Sequence, residues 1–280
     1  MILITGATGL VGRPIVELLL ADGQKVAALT RDPDAAALPD AAELVAGDPS
    51  RPETVPLDGI DTVFLNARAV GESADALVAH ARRHGVRRLV ALAAINVDDD
   101  LALQPSRANG DRNKEVEQAV VGSGLEWVSL RPTSFATNTI GMWARQIRAG
   151  DLVRGPYATA ADSPIDPRDV AEVAARALVG DELLGRKPVL TGPASLTQDE
   201  MVATIGRVLG RPLRFQEVPP EVARQAMANV VSQDFADAFV ARLAACVGRP
   251  VNTDEVATIL GHPATSFADW VARNAAAFQD

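Results

Sequence analysis

The opening stretch Met1-Ile-Leu-Ile-Thr-Gly-Ala-Thr-Gly-Leu-Val-Gly12 narrows the possible folds more than any other part of the chain. Its apolar run, Ile2 to Ile4, reads as a buried parallel strand, and a helix-like pattern runs from Pro14 to Ala21. Between them lies Gly6-x-x-Gly9-x-x-Gly12. Gly6 permits the tight turn out of the strand, and Gly9 lets backbone N–H groups approach a pyrophosphate with no Cβ in the way. Gly12 lets the new helix pack closely on the sheet, and that helix aims its positive N-terminus at the phosphates. Strand, glycine loop and helix in this order point to a dinucleotide site, with Thr8, Leu10 and Val11 completing the loop.

Strands and helices then alternate, as in a parallel α/β sheet. Strands are expected at Lys25–Thr30, Ala42–Ala46, Asp61–Asn66, Arg88–Ala93 and Glu126–Arg131. Helices are expected at Ser73–His84 and from about Asp111 to Val121, with a polar loop over Asn96–Gly110. Beyond Pro132 the pattern predicts a helix over Phe135–Ala149, a long Ala-rich helix to about Val179 capped by Asp166 or Asp169, and a strand at Pro188–Thr191. A helix to Leu209, an extended Leu213–Val218 and helices near Pro220–Ala228, Ser232–Cys246 and Ser266–Phe278 complete the chain. The expected architecture is a Rossmann-type, doubly wound parallel sheet with its ligand crevice at the carboxyl ends of the strands. We place the nucleotide domain at 1–190, with 133–165 lining the substrate cleft, and a smaller, mostly helical C-terminal lobe at 191–280.

Composition sets limits on this reading. A net charge of −9 argues against a broad basic surface for nucleic acid. The one basic cluster, Arg82-Arg83-His84-Gly85-Val86-Arg87-Arg88, reads as a helix C-terminus whose cations complement the dipole. With aromatics at 4%, the core is expected to be built from Ala, Val and Leu. The single cysteine, Cys246, excludes a disulfide within the chain and reads as a buried small hydrophobe. No run approaches the ~18 apolar residues of a membrane span, and strand one begins at once, so a cytoplasmic protein without a signal peptide is expected.

Candidate chemistry gathers at strand ends. Strand two closes Leu29-Thr30-Arg31 with no acid at its end, since Asp32 follows Arg31. An acid there would hold a ribose 2′-OH, whereas a cation suits a 2′-phosphate, so NADP(H) is expected over NAD(H). Asp48, after strand three, is placed to accept from the adenine amino group, or else to close an Asx turn. Asn66, at the tip of strand four, joins the candidate cofactor residues. Lys114 belongs to the helix whose N-terminal half faces the crevice in such folds. Its spacing leaves two readings open, a cofactor-binding or carbonyl-polarising cation and a solvated lysine between Glu115 and Glu117. The backbone of Arg131-Pro132-Thr-Ser-Phe135 is a candidate partner for the nicotinamide carboxamide, through Pro132 and Phe135, and Asn138 is a candidate substrate contact. The histidines His80, His84 and His262 have no second ligand at metal spacing, so no metal is expected. No Gly-x-Ser-x-Gly elbow supports a hydrolase.

Taken together, Thr5–Gly12, Arg31, Lys114, Ser123–Pro132, Ile165–Ala171 and Leu190–Thr197 resemble the atypical short-chain dehydrogenase/reductases. The similarity is to the NmrA-like group, with type-2 quinone oxidoreductases and isoflavone-reductase-like enzymes as relatives, and it spans roughly residues 1 to 215. It implies that Lys114, matching the lysine used by isoflavone-reductase-like members, has a catalytic role. The chain departs from the wider superfamily's Tyr-x-x-x-Lys and serine: Gly110 stands at the tyrosine position, and the tip of strand five, Leu92-Ala-Ala-Ile95, has no hydroxyl. Two functions are therefore expected to compete. One is an NAD(P)H-dependent reductase of a quinone, enone or similar conjugated small molecule; the other is a non-catalytic dinucleotide sensor. Monomer and homodimer both remain open.

Overall fold

Apolar runs become central strands here because both faces of the sheet are covered. The computed structural model describes residues 1–279. Its strands β1 (Ile2–Ile4), β2 (Val26–Thr30), β3 (Glu43–Ala46), β4 (Thr62–Asn66), β5 (Arg88–Leu92), β6 (Glu126–Pro132) and β7 (Val189–Leu190) form one sheet in the order β3-β2-β1-β4-β5-β6-β7. The pairings are parallel, with Ile4 opposite both Ala28 and Phe64. Against β7, Ser129, Arg131 and Thr133 donate to the carbonyls of Arg186, Pro188 and Leu190, a parallel progression. The predicted strand at Pro188–Thr191 thus extends the six expected strands to seven. β1 and β5 are buried throughout, whereas Glu43, Leu44 and Ala46 of β3 are exposed, as befits an edge.

The chain divides into two compact units, each assembled from three segments: Met1–Asp98, Gly110–Pro132 and Val170–Val189 in the first, and Asp99–Asn109, Thr133–Asp169 and Leu190–Asp280 in the second. The division does not fall at one point near residue 190. The segment 133–165, placed with the nucleotide domain from the sequence, belongs to the second unit.

In the first unit, alternation along the strands sends Leu3, Leu29, Leu65 and Leu89 to one face. There they pack with Leu77 of α3 (Ala74–Arg83) and with Val116 and Val120 of α4 (Asn113–Val121). Helix α1 (Gly12–Ala21) buries Ile15, Val16 and Leu19 against β1 and β2 on the other face. A short α2 (Ala67–Val70), not legible in the sequence, follows β4 at once because Asn66 caps it, accepting from the N–H groups of Arg68 at 3.1 Å and Ala69 at 3.4 Å.

The basic cluster has a second role. Arg82 and Arg83 do end α3, but Arg88 is fully buried. Its guanidinium donates to the carbonyls of Ala177, at 3.2 Å, and Gly180, at 2.5 Å, and meets Glu126 and Asp181. It ties the amino end of β5 to the end of α6 (Pro167–Val179), which Asp166 caps by accepting from Arg168 N–H at 2.9 Å.

In the second unit, α5 (Asn138–Ala149) begins three residues later than expected. The backbone at Phe135 is held extended by a parallel bridge to Ile165, with Ala136 N–H donating to the Ile165 carbonyl at 2.8 Å. An unforeseen strand, Leu152–Gly155, pairs in parallel with Arg214–Glu217. The expected polar loop holds 3-10 turns at Leu101–Leu103 and Pro105–Asn109, which pack against the helix Gln233–Cys246. A helix at Glu255–Leu260 was also not foreseen, and the last one ends at Arg273 before a 3-10 turn. The core of this unit departs from the aliphatic expectation: Trp143, Phe267, Trp270 and Phe278 are buried together. Trp270 stacks on Phe267 and meets Phe278 edge-on. Cys246 is half-buried and free rather than fully enclosed. Among the described residues, no helix is long and apolar enough to cross a membrane.

Arg88→Met leaves the Ala177 and Gly180 carbonyls without their donor, while Glu126 and Asp181 can turn to water. We expect a loss of about 3 kcal/mol in urea denaturation.

Candidate nucleotide site at the carboxyl ends of β1, β2 and β4

The glycine loop leaves β1 at the point where the strand order reverses, between β1 and β4. Gly6 adopts a left-handed φ of +63°. Its carbonyl accepts from Gly9 N–H at 2.9 Å, closing the turn. A Cβ on Gly12 would collide with the Gly6 carbonyl oxygen, and a Cβ on Gly6 would lie 3.2 Å from the Asn66 side chain. Thr8, Gly9 and Leu10 are exposed, and Val11 is buried beneath them. The loop is therefore a bare backbone surface at the start of a helix, and it fits a dinucleotide pyrophosphate. Thr5, fully buried, accepts from Asn66 N–H at 2.8 Å and pins the β1 and β4 tips together. The Asn66 amide caps α2, so it supports the site as well as bordering it.

At the end of β2, Arg31 is exposed and has no hydrogen bond or ion pair among the described residues. Asp32 is engaged in its own turn, accepting from Ala35 N–H at 3.2 Å. Asp48 closes an Asx turn: it accepts from the Ser50 hydroxyl at 2.7 Å and from Ser50 N–H at 3.0 Å. The Ser50 hydroxyl chiefly, with Arg51 and Arg31 nearby, holds its carboxyl below the usual aspartate range. Arg13, unremarked in the sequence, donates to the Ala37 carbonyl and ties the segment after β2 to α1.

Lys114 stands in the first turn of α4, half-buried, with no partner for its ammonium among the described residues. The alternative reading makes it a solvated lysine between Glu115 and Glu117, and Glu117 is in fact held by a different set of groups. This nearly buried carboxylate accepts from Arg131 at 2.5 and 2.8 Å, from the Ser129 hydroxyl at 2.7 Å and from Lys187 at 2.9 Å. Burial opposes its ionisation, but the hydrogen bonds from Arg131, Ser129 and Lys187 prevail and hold its pKa at about 2. Arg131 also reaches Asp98 at 2.7 Å. This network was missed from the sequence, although alternation along β6 places Ser129 and Arg131 on one face.

The remaining candidates are more committed than expected. The Pro132 carbonyl accepts from Ile95 N–H, and Thr133 N–H donates to the Leu190 carbonyl. Phe135 N–H has no hydrogen bond among the described residues. Phe135 is half-buried and Asn138, the first residue of α5, is exposed; both belong to the second unit. His80 contacts the Val55 carbonyl and His84 the His80 carbonyl, as structural ring contacts. A polar groove of about 370 Å³, lined by Met1, Lys25, Asp61 and Arg87 among others, lies at the amino ends of β1 and β4, the end of the sheet opposite the glycine loop.

Residues 6–181 match the model of the NAD(P)H-binding family, and the chain belongs to that family. It is 38% identical to the (4-alkanoyl-5-oxo-2,5-dihydrofuran-3-yl)methyl phosphate reductase of Streptomyces griseus, over 99% of each chain. It is 32% identical to the NAD(P)H azoreductase of Xenophilus azovorans, again over 99% of each. Its fold is similar to that of the NADPH-dependent quinone oxidoreductase of Escherichia coli complexed with NADPH, with a TM-score of 0.84, 20% identity and coverage of 98% of this chain and 99% of that one. The family agrees with the resemblance read from the sequence.

Two outcomes test this geometry. Gly9→Ala puts a methyl on the exposed loop with only a 3.1 Å approach to the Gly6 carbonyl. NADPH affinity, followed by fluorescence titration, is expected to fall by about tenfold or more with little change in melting temperature, whereas Gly12→Ala lowers both. The depressed pKa of Glu117 contributes stability that is complete above its unfolded value of 4.5 and is lost as pH falls toward 2. Urea denaturation across that window is expected to show a loss of up to about 3 kcal/mol, absent in Glu117→Gln.

Proposed function

We propose that this chain is an NADPH-preferring reductase of a conjugated small molecule, an α,β-unsaturated carbonyl compound or quinone. The observation that carries this reading is the unpaired Lys114 ammonium in the first turn of α4, in a unit whose glycine loop fits a dinucleotide. Two relatives sharing its full length support it, one named as a reductase of an acyl dihydrofuranone and one as an azoreductase. A bound nicotinamide would supply the hydride.

The chain's own residues then have distinct tasks. Backbone N–H groups of the loop from Gly6 to Gly12 hold the pyrophosphate. Arg31, exposed and uncommitted, clamps a ribose 2′-phosphate, while Asp32 is turned into its own loop and does not compete. Lys114 holds the nicotinamide ribose hydroxyls or polarises the acceptor carbonyl, so that negative charge arriving on oxygen is stabilised. Glu117, one turn further along α4, is locked to Arg131 on β6 and keeps that helix, and thus Lys114, in place.

The test is NADPH oxidation, followed at the nicotinamide absorbance, against a panel of quinones and acyl butenolides, with NADH in parallel. We expect turnover with NADPH, a KM for NADPH raised about tenfold or more by Arg31→Ala with little effect on NADH, and a sharp fall in kcat in Lys114→Ala. Tight NADPH binding without oxidation by any acceptor would contradict the reductase and favour a dinucleotide sensor.

A further inference from the structure

The first unit contains an acid that nothing above has used. Gly110, with a left-handed φ of +91°, turns the chain into α4, and Asp111 follows it three residues before Lys114. The Asp111 atom Oδ1 is buried and has no hydrogen-bond partner. An orphaned carboxyl oxygen is costly, and its neighbourhood offers obvious remedies that are not taken. No side chain caps α4 through its N-cap position, Arg112. The Arg112 guanidinium donates to the backbone carbonyl of Asp111, at 3.1 Å, and to Glu72, at 3.0 Å.

The location matters as much as the burial. α4 begins on the carboxyl-end side of the sheet, because it follows β5, and it packs against α2 at the tip of β4. One continuous arc therefore runs from the Gly6 loop to Asn66, on to α2, and then to Asp111 and Lys114. An uncapped carboxyl group at that place needs a partner that the chain itself does not provide.

We propose that Asp111 is the acid that protonates the reduced acceptor. The inference rests on the reductase reading. The acceptor gains a hydride from the reduced nicotinamide at its β-carbon, forming a C–H bond, and its C=C electrons shift onto the carbonyl oxygen as an enolate. The O–H bond of Asp111 then breaks, and its proton completes the C–H bond at the α-carbon. The nicotinamide leaves oxidised, and solvent returns a proton to the carboxylate. Lys114, three residues on, stabilises the enolate oxygen during the transfer.

A donor must hold its proton at working pH, and the surroundings favour that. Burial pushes the Asp111 carboxyl above the usual aspartate value, and the cations that oppose this are Arg68, exposed on α2, and Arg112 beside it. Such an acid at this position removes the need for the tyrosine that Gly110 replaces.

The experiment combines a spectroscopic and a kinetic readout on the full chain. Infrared titration of the protein without nucleotide is expected to show a protonated carboxyl band that persists above the ordinary aspartate range and is missing in Asp111→Asn. With NADPH and an acyl butenolide as probe, the wild-type kcat is expected to fall as pH rises through that titration. Asp111→Asn is expected to lower kcat about tenfold or more and to lose that alkaline limb, with unchanged NADPH affinity and melting temperature. Asp111→Glu is expected to restore part of the rate and shift the limb. A merely structural role would lower kcat and melting temperature together without altering the pH profile, and would overturn the proposal. So would a wild-type band titrating in the ordinary range. Turnover by the wild type with an unaltered Asp111→Asn profile sinks the inference alone, whereas no turnover with any acceptor sinks the reductase reading and the inference with it.

Discussion

The contact between Gly12 and the carbonyl oxygen of Gly6 is the constraint on which the rest of the first unit depends. It allows α1 to start directly against the end of β1. The loop between them must then close on itself, through Gly9 N–H and the Gly6 carbonyl, and present its backbone outward. Any side chain at Gly12 would force the helix off the sheet and close the anion site with it. Fold and binding surface thus share one steric requirement, so the glycine spacing carries so much information.

Buried charge serves the same end elsewhere in that unit. Arg88 joins β5 to the end of α6, and Glu117 joins α4 to β6 through Arg131 and Ser129 and to the segment before β7 through Lys187. Each replaces apolar packing with hydrogen bonds whose geometry admits one arrangement. The desolvation of such groups is costly, so their value lies less in net stability than in fixing register and helix position. For α4 that precision bears on the proposed chemistry, since Lys114 and Asp111 lie at the end of the helix that Glu117 anchors.

Much of this was legible in the sequence. Strand alternation, the glycine loop and the Asp166 cap depend on local rules, and the structure places them within a few residues of expectation. What escaped depends on long-range pairing. Leu152–Gly155 is a strand only because Arg214–Glu217 lies beside it. Phe135 is extended rather than helical because Ile165 bonds its neighbours. The Glu117 network needed β6, α4 and Lys187 together, and local spacing shows only one of these at a time. The scarcity of aromatic residues misled for a related reason: composition averages over the chain, whereas Trp143, Phe267, Trp270 and Phe278 converge in one unit. Among the candidate site residues, the tight Gly6–Gly12 turn follows from local spacing, whereas the bond from Ile95 N–H to the Pro132 carbonyl is a contact between strand ends that no spacing reveals.

The chemistry proposed for this chain uses electrostatics and one local acid in place of a phenol. In that proposal a lysine without a partner receives charge on oxygen, and a carboxyl group beside it returns the proton. The most direct test of the central claim is to follow the hydride itself. The protein would be incubated with an acyl butenolide and NADPH carrying deuterium at both C4 positions of the nicotinamide, and the product examined by NMR. Deuterium bonded to the β-carbon of the former C=C, with a solvent-derived hydrogen at the α-carbon, is the predicted result. Unlabelled product, or label at the α-carbon, would contradict conjugate hydride transfer.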